Sequence, residues 1–138
     1  MVRLFAGFAI AAVAFGVLTS TAQALPPFKN AFEQKYVKDS TNADWQALVK
    51  KEGCNICHVK GEKEKNKQNA YGKELNKLIE GDAQARLKEA KANGTDKEET
   101  EKLLKELDAA FKKVEEMKSP TGETFGELLK AGKLPVTQ

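Results

Sequence analysis

Apolar side chains recur along this chain at intervals of three and four. The pattern is longest in "DKEETEKLLKELDAAFKKVEEMK", where Leu103, Leu107, Ala110, Val114 and Met117 follow in steps of four and three. That spacing puts them on one side of a helix and predicts a stripe turned to a core. Ser119-Pro120 breaks it, and "GETFGELLKAGKLP" predicts a short last helix through Phe125, Leu128 and Leu129. Near the other end, Phe28, Phe32 and Tyr36 are spaced by four, which predicts a short first helix in "FKNAFEQKYVK" with an aromatic stripe. "STNADWQALVKKEG" predicts a second, with Thr41 or Asn42 as cap, Trp45, Leu48 and Val49 as its apolar side, and Gly53 as its end. "NAYGKELNKLIEG" continues the pattern through Tyr71, Leu75, Leu78 and Ile79, and "DAQARLKEAKANG" adds a helix with Asp82 as cap and Gly94 as stop. No stretch alternates with period two, so the expected fold is all-α, with a polar, mostly basic loop from Lys60 to Gln68.

The first 24 residues follow a different rule. Arg3 is a lone cation, Leu4 to Leu18 is an uncharged apolar run, and Ala22-Gln23-Ala24 has the small-x-small form read by signal peptidase. The run is shorter than the roughly 18 to 20 residues that span a bilayer, and Pro26-Pro27 follows it. The expectation is a signal peptide over residues 1–24, cleaved after Ala24, and an exported or periplasmic protein; the alternative is an uncleaved membrane anchor. Residues 25–138 then form a single domain with no further membrane span, expected to be a monomer. Loss of Arg3 leaves 22 basic against 20 acidic residues. So even a balance gives no reason to expect nucleic-acid binding.

The chemistry concentrates in "EGCNICHVKG". Cys54 and Cys57 are the only cysteines and His58 the only histidine. A redox disulfide across two intervening residues belongs on a thioredoxin-like sheet, and no strands are expected here. A structural zinc site wants four ligands, and the chain offers three, all within one turn. The remaining reading uses every residue. In C-x-x-C-H two thiols add to the haem vinyl groups and the imidazole that follows takes the iron from the proximal side. Covalent attachment of this kind takes place outside the cytoplasm, in agreement with the expected leader.

On these residues the chain resembles the small class I cytochromes c. A helix from Asn42 to Glu52 runs into "CNICH", further helices follow, and the chain closes on a short helix. The resemblance implies one covalent haem c wrapped by helices, with an edge left open for electron transfer. It also points to Met117, 59 positions beyond His58, as distal iron ligand. Against this, Met117 continues the apolar stripe of its own helix and reads equally as core. Tyr71, a lysine, or an open site are the alternatives. Class I cytochromes commonly carry a proline some ten residues after the proximal histidine, and the interval from Val59 to Gly81 has none.

Trp45, Phe111 and Phe125 are candidates for the apolar wall around the haem. Lys60, Lys63, Lys65, Lys67, Lys73 and Lys77 could offer an acidic redox partner a positive surface, diluted by Glu62 and Glu64. The expected function is that of an extracytoplasmic one-electron carrier, without substrate chemistry by the protein. The alternative is a gas-binding or sensor module with an open distal side. A peroxidase would want a distal histidine or arginine, and Arg86 is the only arginine after the leader. In a permanently docked subunit, the stripe of Phe28, Phe32 and Tyr36 would be an interface instead of a lid.

Overall fold

The computed structural model describes residues 25–62 and 67–135. The expected signal peptide, and with it Lys63 and Lys65 of the basic loop, lie outside the described residues. The described chain is all-α, as its periodicity predicts. It runs through α1 (Pro26–Tyr36), α2 (Ala43–Glu52), a 3-10 turn (Gly53–Ile56), α3 (Ala70–Leu78), α4 (Ala83–Asn93), α5 (Asp96–Glu115) and α6 (Phe125–Lys130). Among the described residues no helix is long and apolar enough to cross a membrane.

Local chemistry sets most helix ends. Asn42 accepts the Trp45 N–H at 3.0 Å and Asp82 accepts the Ala85 N–H at 2.7 Å, each satisfying a first-turn donor that no carbonyl reaches. Thr124 and Glu127 form a reciprocal capping box that starts α6. Gly94 ends α4 in the left-handed region, with φ of 73°, where a Cβ would be strained.

α5 is the wall of the fold. Leu103, Leu107, Ala110, Phe111 and Val114 make up its buried side, and α1, α3, α4 and α6 all pack against this helix. Phe32 of α1 meets Phe111 edge-on, with ring centres 6.1 Å apart. Tyr36 lies 5.5 Å from Phe111 and donates its hydroxyl to Glu115 Oε1 at 2.6 Å. α4 fully buries only Ala90, packs Ala83 and Leu87 half-buried against the core, and is also held by charge. Its Arg86 donates to both oxygens of Glu106, at 2.8 and 2.9 Å, to Glu99 at 2.7 Å and to the Glu80 carbonyl at 2.7 Å. This planar, bidentate grip is one that lysine does not reproduce.

The stripe on α5 is directly testable. Leu103 is 1 % exposed, so Leu103→Ala should cost about 2–5 kcal/mol and lower the thermal unfolding midpoint by roughly 10 °C or more. Exposed Lys102→Ala should stay within about 0.5 kcal/mol of the native chain. Equal effects of the two substitutions in a thermal melt would contradict the packing described.

Candidate functional site

The segment 52–60 is a turn held from several directions. α2 stops at Gly53 and the chain tightens into the 3-10 turn that carries Cys54, Asn55 and Ile56. The N–H groups of Cys57 and His58 both donate to the Cys54 carbonyl, at 3.2 and 3.0 Å. Ile56, 3 % exposed, pins the turn to the core. The chain then leaves and returns. Val59 N–H donates to the Lys67 carbonyl at 2.9 Å, His58 and Gln68 form an antiparallel bridge, and Asn69 N–H donates to the Cys57 carbonyl at 3.0 Å. Glu52 and Lys60 close the base of the turn with an ion pair of 2.9 Å.

This folding turns Cys54, Cys57 and His58 onto one cleft of about 340 Å³, within the size range of small-molecule sites. Its walls are mostly apolar: Phe28 and Phe32 from α1, Leu75 and Ile79 from α3 and its end, Leu107 and Phe111 from α5. Lys29, Asn76 and Asp82 also line it and are exposed to solvent. α3 comes so close that a Cβ on Gly72 would overlap the Cys57 carbonyl oxygen, so glycine is required there by contact and not by its dihedral angles.

Several residues expected at the site lie elsewhere. Met117 does not line the cleft. It follows the end of α5, its N–H donating to Val114 and its carbonyl accepting from Phe125 at 2.9 Å, and its side chain is half-buried against the core. Tyr71, 1 % exposed, packs between Phe32 and Phe125 behind the cleft. Of the three aromatic candidates for a haem wall, only Phe111 lines the cleft. Trp45 instead donates its indole N–H to the Tyr36 carbonyl at 2.9 Å, and Phe125 meets Tyr71 edge-on. Phe28 and Phe32 cover the cleft, whereas Tyr36 turns to α5. Arg86 is engaged by Glu99 and Glu106 and does not line the cleft. Lys60, Lys67 and Lys77 are paired with Glu52, Glu62 and Glu74.

Burial, and to a lesser degree Cys54 beside it, pushes the Cys57 thiol up to about 12. Cysteines that exchange disulfides are shifted the other way, toward the thiolate. Among the described residues no group of three or more His, Cys, Asp or Glu side chains is arranged to hold a metal ion. The hydrogen bond from Lys60 holds the Glu52 carboxyl below the ordinary value of 4.5. The stabilisation from that depressed pKa is present above pH 4.5 and is lost as the pH falls through the folded value.

Reading the sequence located the motif but not its supports. Asn69, Gly72, Leu75, Ile79 and Leu107 reach the site through tertiary contacts. Leu75, Ile79 and Leu107 had a local signal in their helical spacing, which marks them as core and not as lining. Compared with family models, curated proteins and solved structures, the chain matches none.

In the full chain without haem, with Cys54→Ser so that one thiol reports, Cys57 alkylation should accelerate with pH from 7 to 10 without levelling off. Its thiolate fraction rises about tenfold per unit below the pKa. A plateau at about 8.5, the value of an ordinary cysteine, would contradict the upward shift of the Cys57 thiol.

Proposed function

We propose that the protein is a monohaem c-type cytochrome domain that carries single electrons between redox partners outside the cytoplasm. One observation carries this reading: the chain's only two thiols and its only imidazole line a single, mostly apolar cleft. These donors suit a haem. Cys54 and Cys57 would hold it through thioethers, and His58 would take the iron from the proximal side. The bound group supplies one-electron chemistry at iron, and the protein supplies its surroundings.

Phe28, Phe32, Leu107 and Phe111 exclude water from the cleft, and a drier site disfavours the more highly charged oxidation state. Solvent reaches the cleft beside Lys29, Asn76 and Asp82, and a partner would approach there. The glutamates paired with Lys60, Lys67 and Lys77 weaken the positive surface that an acidic partner would meet, so apolar and shape contacts weigh more in that encounter.

A second reading is favoured by the position of Met117. A distal methionine belongs in the cleft with His58, and this one does not line it. An open sixth position would take a small neutral ligand such as CO or NO.

A redox titration of the haem-loaded protein separates these outcomes. The carrier predicts a single reversible one-electron wave, with the low-spin spectrum lost in His58→Ala. For the second reading, the ferrous protein binds CO rapidly, and Met117→Ala leaves the spectrum unchanged. A sulfur-to-iron charge-transfer band that disappears in Met117→Ala would put Met117 on the iron and sink the open-site reading.

A further inference from the structure

One residue outside the motif reaches the backbone carbonyls of Asn55, Ile56, Cys57 and, at longer range, His58. Asn69 Nδ2 donates to the Ile56 carbonyl at 2.9 Å and to the Asn55 carbonyl at 3.2 Å, with a longer approach of 3.5 Å to the His58 carbonyl. Its backbone N–H donates to the Cys57 carbonyl at 3.0 Å. On its other side, Oδ1 accepts the Gly72 N–H at 2.9 Å and so caps α3. Carbonyls at the end of a short 3-10 turn have no partners within it. Here one amide group supplies them.

The residue type is informative. Serine, threonine, aspartate and asparagine all cap a helix through a side-chain oxygen. Of these only asparagine also carries an amide able to donate to two carbonyls at once. A cap alone does not explain this choice. Both sets of bonds fix the same orientation of the amide, with Oδ1 toward Gly72 and Nδ2 toward the turn. Gly72 completes the arrangement, because its missing side chain lets α3 and Asn69 reach the Cys57 carbonyl.

We propose that Asn69 is the positioning residue of the 54–58 motif: by fastening the carbonyls of Asn55, Ile56 and Cys57 to the start of α3, it sets the direction in which both thiols and the imidazole face the cleft. The role toward haem rests on the function proposed above; the clamp itself does not.

Two variants test it in the full chain. Asn69→Ser keeps a capping oxygen and removes the amide donors, whereas Asn69→Ala removes both. Asn69→Ser should retain most of the thermal stability. In haem-free chain carrying Cys54→Ser, it should speed Cys57 alkylation about tenfold, the order expected when two backbone acceptors lose their donor. In the haem-loaded protein it should shift the midpoint potential, which loss of a helix cap alone does not move. Asn69→Ala should show the same changes with a lower unfolding midpoint. Wild-type alkylation rates in Asn69→Ser overturn the clamp. Faster alkylation with an unchanged potential overturns its role toward the haem. A native chain that accepts no haem is a different failure, of the cytochrome reading, and the alkylation rates still decide the clamp.

Discussion

Leu103, Leu107, Ala110, Phe111 and Val114 form one continuous buried side of α5, where α1, α3, α4 and α6 each find a place for their own apolar side chains. Most of those helices are too short to be stable alone in water, so their persistence comes from packing. The cleft is a consequence of the same wall. Leu107 and Phe111 continue the buried side into its lining, while Leu103 and Val114 serve the core alone. Disturbing α5 therefore disturbs the site without touching the motif.

The motif itself is fixed by backbone satisfaction more than by side-chain burial. A four-residue 3-10 turn followed by an irregular segment leaves carbonyls that α2 and α3 do not bond in regular fashion. They are met by Asn69 and by the turn's own N–H groups, while the returning chain offers the Lys67 carbonyl to the Val59 N–H. Partial burial of Cys57 follows, and the desolvation pushes its thiol pKa up. Such a thiol is poorly suited to exchange chemistry. It is compatible with a permanent thioether.

What could be read from the sequence had local causes. Asn42, Asp82, Gly94 and the stripe on α5 act through neighbours three or four residues away, and each does in the structure what its spacing predicts. The motif was equally legible, since its residues are consecutive. Met117 shows where periodicity stops informing: the helix ends at Glu115, so spacing no longer specifies its direction. Trp45 and Phe125 show a second limit. Each is buried as expected, but which side of the core an aromatic ring faces depends on how distant helices pack. Asn69 stood in the sequence only as the first residue of a helical stretch, because its bonds to the turn span 13 and 14 positions of sequence.

The central claim is that Cys54, Cys57 and His58 receive a haem in the cleft that they line. It is tested most directly by the intact mass of the chain under denaturing conditions, after expression with a haem-maturation system. The account predicts a chain heavier by one haem that survives acidic organic extraction, and unmodified chain when Cys54 and Cys57 are both replaced by serine. A wild-type chain of unmodified mass, with both thiols free to react once unfolded, would contradict it.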